Sequence, residues 1–338
     1  MTLRILNDCH IGTIRATGTT PATQLALRQY LIDDFIRLLP SSDLMILGDL
    51  FDKDNIPISD FLAAYNALLD WCLAGHRLWL VAGNHDLSKT SSTLSSYDLL
   101  GRLLHTLYPN TVSVVKEACS TPYGYIIPHV ANQDLFDIEL GKVPPCDYLF
   151  LHCNYDNNFA ATSDQSLNLS EQVRRTLPAK TIVVAHEHHT RQVHNVVLPG
   201  NQTASSCSDW LSNSDKVYAE LFSDSKRDSY ALRLESANRR SDQFRELDWR
   251  SLTDVDHKFI RITGKASPEE ATSVVTSISK YRQASKALVI SNAVDIQAAD
   301  DSKSAIALEA VTTFDVWKSL EGVLNKREME ILRSVANA

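Results

Sequence analysis

Residues 181–189 read "TIVVAHEHH", a β-branched apolar run that breaks off into histidines. A short run without polar alternation reads as a strand buried on both faces. At an extended strand end, residues i and i+2 project to the same side, so His186 and His188 can reach one centre. Asp8 and His10 repeat that spacing in "NDCHIG".

Working outward, short apolar runs at 3–6, 44–47, 78–82, 123–127, 148–153 and 181–185 alternate with helix-like stretches near 23–39 and 59–74. This rhythm predicts an α/β layered sheet with helices on its faces. From about 190 to 235 the pattern turns strand-rich, with turn residues ("VVLPGNQ", "KVYAELFSD", "YALRLES"), and predicts an antiparallel portion of the same domain. The polar stretch 236–256 reads as a connector. Beyond it "KFIRITG", a helix from "SPEEA" and "ALVIS" predict a strand–helix–strand unit, with Ser267 as N-cap and Pro268 in the first turn. The boundaries expected are 1–240 for the main domain, 241–300 for a small capping domain and 301–338 for C-terminal helices.

With 338 residues and 44% apolar composition the chain can bury a large core. It has no signal-peptide pattern at its start and no apolar run of the ~18 residues a membrane span needs, so a cytoplasmic setting is expected. Six cysteines without C-x-x-C pairing suit a reducing compartment and argue against a structural zinc. The net charge is −8, which weighs against a nucleic-acid partner. The excess is uneven: residues 257–338 hold 11 basic and 10 acidic side chains, whereas the first 256 hold 22 and 31. Carboxylates concentrated there fit a cation-holding domain.

Five strand ends carry imidazole, carboxylate or amide groups: Asp8 and His10; Asp49 and Asp52 in "GDLFD"; Asn84, His85 and Asp86 in "GNHD"; His152 in "LHCN"; His186 and His188. Sites in open α/β sheets gather at the carboxyl ends of strands. Mixed oxygen and nitrogen donors suit manganese, iron or zinc, and there are more of them than one ion needs. Two cations roughly 3.5–4 Å apart can activate a water and clamp a phosphoryl group, so the expected substrate carries phosphate. The competing reading, caps and turn residues at strand ends, is weak against the full set. It does serve for Asp86, and His76, His105, His129, His189, His194 and His257 read as surface or core residues.

The blocks D-x-H, G-D-x-x-D, G-N-H-D, a lone His and a final H-x-H, in that order over residues 8–188, resemble the calcineurin-like metallophosphoesterases. Only Ala185, where that family usually has Gly, departs from the pattern, and a slight backbone adjustment is expected there. The resemblance implies that Asp8, His10, Asp49 and His188 hold one metal and that Asp49, Asn84, His152 and His186 hold the other, with Asp49 bridging. His85 would act as general acid or transition-state stabiliser, oriented by Asp52. The implied fold is a four-layered αββα sandwich with a small α/β cap.

"ILNDCHIG", "AHEHH" followed by "VVLPGNQTASS", the strand–helix–strand unit and the tail "TTFDVWKSLEGVLNKREMEILRSV" further resemble the nuclease subunit of SbcCD-type DNA-repair complexes and its phage counterparts. That resemblance implies a manganese-dependent DNA exonuclease with endonuclease action, working with an SbcC-like coiled-coil ATPase. DNA contacts are expected from Lys53, Lys89 and Arg191 near the motif loops and from the run Arg239, Arg240, Arg245 and Arg250. Phe314, Trp317, Leu320 and Leu324 fall near one helix face and are expected to dock the ATPase. Exposed alone, that stripe favours a homodimer. Two other classes compete: a stand-alone phosphatase or small-nucleotide phosphodiesterase, and a scaffold subunit with a vestigial site, which the intact ligand set disfavours.

Overall fold

The computed structural model describes residues 2–13, 21–88, 93–157, 166–206, 209–210, 215–224, 229–237, 243–255 and 258–296. Lys89, Arg239, Arg240, His257 and the segment 301–338, with Phe314, Trp317, Leu320 and Leu324, lie outside these residues. The chain divides into two compact units, Met1–Gly264 with Ser273–Val294, and Lys265–Thr272 with Asp295–Ala338.

The first unit opens with β1 (Thr2–Leu6), α1 (Pro21–Leu38), β2 (Asp43–Leu47), α2 (Ile58–Leu73), β3 (Leu78–Val81), α3 (Ser96–Leu107) and β4 (Val112–Val115). A second series follows: β5 (Cys119–Thr121), β6 (Gly124–Ile127), α4 (Gln133–Leu140), β7 (Cys146–His152), β8 (Asn154–Tyr155), β9 (Asn168–Leu169), α5 (Glu171–Arg174) and β10 (Ala179–Ala185). Then come β11 (Arg191–Val193), β12 (Val196–Leu198), β13 (Val217–Asp224), β14 (Ser229–Ser236), β15 (Phe244–Asp248), β16 (Phe259–Ala266), α6 (Ala271–Ala284) and β17 (Leu288–Ile296). Two six-stranded sheets result, ordered β14-β13-β1-β2-β3-β4 and β11-β12-β10-β7-β6-β5.

Alternation along the strands produces the layering. In β2, Met45 and Leu47 point to the other sheet, where Ile126, Phe150, Val183 and Ala185 meet them. Leu44 and Ile46 point the other way, onto Phe35, Leu68, Trp71, Leu100 and Leu104 of the helices. Leu149, Leu151, Ile182 and Val184 give the second sheet an outer face too, covered by Phe136 and Leu140 of α4. Strands buried on both faces explain why these runs show no polar alternation. Each such side chain contributes about 1.5–3 kcal/mol by burial. The result is the four-layered sandwich of helix, sheet, sheet and helix expected from the sequence.

The antiparallel portion read at 190–235 appears as β11 with β12 and β13 with β14. The connector reading of 236–256 needs correction, because Phe244–Asp248 forms β15 and pairs in parallel with β16. Only Phe244 and Leu247 of β15 are buried, a spacing of three that hides a strand in the sequence. Phe244 and Phe259 pack with Leu27, Trp210 and Ile290 in a core of their own. In the second unit the Ser267 N–H donates to the Glu270 carboxylate at 2.9 Å, with Pro268 opening a 3₁₀ turn. Among the described residues no helix is long and apolar enough to cross a membrane, and the described cysteines Cys9, Cys72, Cys119, Cys146 and Cys153 are free.

Candidate metal centre

All seven predicted ligands and His85 come together beyond the carboxyl ends of β1, β2, β3, β7 and β10. The extended i, i+2 geometry expected from the sequence does not bring them there. β1 ends at Leu6 and β10 at Ala185, and the backbone then turns left-handed at Asp8 (φ 50°), His10 (φ 45°), Asp49 (φ 50°) and His186 (φ 97°). Non-glycine residues held this way store about 1–3 kcal/mol each and persist only where their surroundings fix them. Here the loops fix one another: the N–H of Asp8 donates to Gly48 O and that of His10 to Asp49 O, both at 3.1 Å. Ala185 keeps its strand pairing opposite His152, so the methyl is accommodated without a break.

The donors form two adjoining groups, Asp8 with His10 and His188, and Asp49 with His152 and His186. Asn84 joins the second group through its Oδ1, 3.0 Å from His152 Nε2 and 3.1 Å from His186 Nδ1. His152 Nδ1 lies 3.1 Å from the Leu47 carbonyl, which can only accept, so Nδ1 carries the proton. Nε2 faces two oxygen acceptors, Asn84 Oδ1 and Asp49 Oδ2, the latter 3.4 Å away. That pairing calls for positive charge at Nε2, carried by an imidazolium proton or by a cation held in its place. Burial pulls against an imidazolium at His152, yet Asp49 pushes it up to about 9. Burial likewise opposes the charge on Asp49, but His152 beside it holds the carboxyl far below its ordinary range.

In the other group His10 Nε2 and His188 Nε2 lie 3.1 Å apart. Burial draws His10 down to about 4, so its ring is neutral, the form that ligates metal. Asp8 Oδ1 and His10 Nδ1 are buried without a hydrogen-bond partner. Orphaned buried polar atoms of this kind are rare in native proteins. Both groups fit a divalent cation in donor type, burial and tautomer.

Glycines make the crowding possible. A Cβ on Gly48 would land on the His152 ring, and one on Gly83 would strike the Asp49 carboxylate and main chain.

His85 sits at the mouth of the site. Its N–H donates to Asp49 Oδ1 at 2.9 Å, and its Nδ1 donates to the main-chain carbonyl of Asp52 at 2.6 Å. Asp52 thus touches His85 through its backbone. Its carboxylate accepts from Thr13 Oγ1 at 2.7 Å and stands 3.5 Å from His10 Nδ1. Asp86 accepts from the N–H groups of Phe51 and Gly83, the turn role read from sequence, and burial followed by the Asp49 charge pushes it up to about 7. The open pocket of about 160 Å³ is lined by His10, Asp49, Asp52, His85, His186 and His188.

Of the basic residues singled out for DNA, Lys53, Arg245 and Arg250 are exposed. Arg191 is spoken for: it pairs with Glu187 at 2.8 Å and donates to the Tyr155 carbonyl. The sequence reading passed over His129, which follows the end of β6 and whose ring lies 6.4 Å from that of His152. Its place, two residues past a strand end, was the signal available.

The profile of the calcineurin-like phosphoesterases matches residues 1–221. Two solved structures align over 70% of the chain: TT1561 of Thermus thermophilus, at 13% identity over 99% of its own length with a TM-score of 0.39, and an archaeal phosphodiesterase described as novel, at 11% identity over 100% with a TM-score of 0.33. No curated protein matches the chain in sequence. A profile match that spans every strand-end motif from Asp8 to His188 settles the family: the chain belongs to the calcineurin-like phosphoesterases.

Proposed function

We propose that the chain is a two-cation phosphodiesterase that cuts DNA, with manganese as the working metal. The observation that carries this reading is the meeting of two histidine–carboxylate groups, Asp8–His10–His188 and Asp49–His152–His186, in one open pocket beside His85. The family acts on phosphoesters with divalent metal ions, which when bound supply charge for the phosphoryl oxygens and an acidified water. The rest falls to this chain's side chains. Asp49 lies between the two groups and offers Oδ2 on the His152 side, while its Oδ1 accepts the His85 N–H. His85, its Nδ1 proton tied to Asp52 O, keeps Nε2 for the substrate and, when protonated there, can hand that proton to the leaving oxygen.

DNA as substrate rests on the resemblance to SbcCD-type nuclease subunits and on a pocket open enough for a polymer to lie across it. Lys53, Lys89 and the Arg239–Arg240 run remain our choices for its backbone contacts, and Arg191 could join them only by leaving its pair with Glu187. The tail 301–338, through Phe314, Trp317, Leu320 and Leu324, remains our choice for an ATPase-docking and self-association element, in a cytoplasmic setting. A second reading, a phosphodiesterase for small nucleotides, draws on the pocket's modest volume of about 160 Å³. Incubating the full chain and manganese with end-labelled single- and double-stranded DNA, beside a chromogenic phosphodiester, separates them. DNA cleavage is expected to dominate; turnover of the chromogenic ester alone would favour the second reading.

His85→Ala is expected to keep metal content and DNA binding and to lose ~10²–10⁴ in rate, the usual contribution of a positioned acid. Near-normal turnover would reduce His85 to a structural residue. Deleting 312–338 is expected to spare manganese-dependent cutting of short single strands and to abolish co-purification with an SbcC-like ATPase. Unchanged co-purification would place the docking surface elsewhere.

A further inference from the structure

Buried polar residues of 199–206, together with Asp209 and Lys216, flank the Asp8–His10–His188 side of the site, and the "VVLPGNQTASS" stretch supplies the first of them. Lys216, immediately before β13, is 1% exposed. Its ammonium lies 2.5 Å from Asn201 Oδ1 and 2.6 Å from Asp209 Oδ1. Asp209 Oδ2 accepts from Asn201 Nδ2 at 2.7 Å and from the Ser205 N–H at 3.0 Å, and it stands 4.0 Å from His188 Nδ1. That separation is an ion-pair distance with room for a closer approach. The other imidazole nitrogen, Nε2, faces His10.

The same stretch grips Asp8. Gln202 and Asn7 form a reciprocal pair: the Asn7 N–H donates to Gln202 Oε1 at 2.7 Å, and Gln202 Nε2 donates to Asn7 Oδ1 at 3.0 Å. Asn7 Nδ2 then donates to Asp8 Oδ2 at 2.6 Å. Between the two grips, Gly200 (φ +72°) passes so close to the His188 carbonyl that an added Cβ would stand 2.7 Å from it, and Thr190 Oγ1 donates to Pro199 O at 2.7 Å.

A metal-bound imidazole generally gives its second nitrogen to a carboxylate, a backbone carbonyl or a water, which fixes its tautomer and aim. A buried carboxylate needs compensating charge to stay ionised, and a fully buried lysine is costly unless it supplies that charge. Asn201, Gln202 and Asn7 are each buried to within 3% and each is used twice or more.

We propose that Asp209, charged and steadied by Lys216, is a positioning residue for His188, and that Gln202 is one for Asp8, so that these residues set the affinity of one cation of the pair. The inference rests on the two-cation reading above. Asp209 holds Nδ1–H of His188 and leaves Nε2 as the donor. Gln202, through Asn7, turns one Asp8 oxygen inward to the amide and leaves Oδ1 for the cation.

The test is a manganese titration of the full chain, read by metal analysis after equilibrium dialysis. The unaltered chain is expected to take two ions. Asp209→Asn, which keeps shape and removes charge, is expected to weaken one ion 10–100-fold and leave the other unchanged. His188→Ala should weaken the same ion, and adding Asp209→Asn to it should cost nothing more, because Asp209 acts through that ring. A merely structural Asp209 would instead give additive losses. If Asp209→Asn loses its fold, the paired Lys216→Met/Asp209→Leu variant leaves no lone buried charge and carries the same expectation. Two ions of unaltered affinity in these variants, or additive losses, overturn this inference and leave the proposed function standing. An unaltered chain that takes up no manganese overturns both.

Discussion

Asp49→Ala is expected to release both cations and to lower phosphodiesterase activity at least ~10³-fold, about 4 kcal/mol of transition-state stabilisation at ~1.4 kcal/mol per decade. Asp49 belongs to the His152–His186 group, with Oδ2 3.4 Å from His152 Nε2, and its charge also bears on His10 of the other group, which suits the bridging role the family resemblance implies. It is 1% exposed, so no water can substitute for it without reorganising the loops. His85 also loses the acceptor for its N–H. Metal analysis beside a rate measurement checks the prediction, and His189→Ala, at an exposed ring outside both groups, is the control that should change neither. Two ions retained in the Asp49 variant would remove the bridging assignment.

Gly48→Ala should cost about 2–5 kcal/mol of stability, the sum of two separable effects. The backbone at Gly48 has φ +84°, a conformation that costs an L-residue roughly 1–2 kcal/mol. The new methyl must also displace the His152 imidazole, an overpacking of about 1–3 kcal/mol. Gly75 has nearly the same φ, +82°, with no atom within 4 Å of the added Cβ. Gly75→Ala should therefore show the backbone part alone. Urea unfolding of both variants with chelator present gives the difference directly, provided the slope is unchanged. Equal losses would mean that His152 yields freely and that the strand-end glycine serves only the turn.

These two glycines mark where the sequence is readable and where it stops. The apolar runs, the order of motifs and the convergence on one edge followed from patterns that one chain displays: doubly buried strands lack alternation, and polar residues at their ends have nowhere to go but a site. The means of convergence was not readable. Left-handed turns at Asp8, His10, Asp49 and His186 come from loops holding one another, and no local propensity of Asp or His announces that. Lys216 was hidden for a related reason. A lysine opening the alternating strand "KVYAELFSD" reads as exposed, and only the meeting with Asn201 and Asp209 makes its burial tolerable. β15 stayed hidden because the small sheet buries it at Phe244 and Leu247 alone.

The position of β1 governs how the protein can be made. β1 lies mid-sheet, between β2 and β13, with Leu3 opposite Leu221 and Thr2 opposite Phe222. While the ribosome is still short of Val217, one side of β1 keeps an open row of N–H and C=O groups beside apolar side chains, the hallmark of an aggregation-prone edge. At about 5–20 residues per second that exposure lasts on the order of ten to forty seconds. Asp8 and His10 emerge first and must wait for His186 and His188, so the cation site closes only after more than half of the chain has been synthesised. Truncations that stop before β13 should accumulate as insoluble, metal-free fragments, and recombinant yield should respond more to slowed translation or chaperone supply than to added manganese.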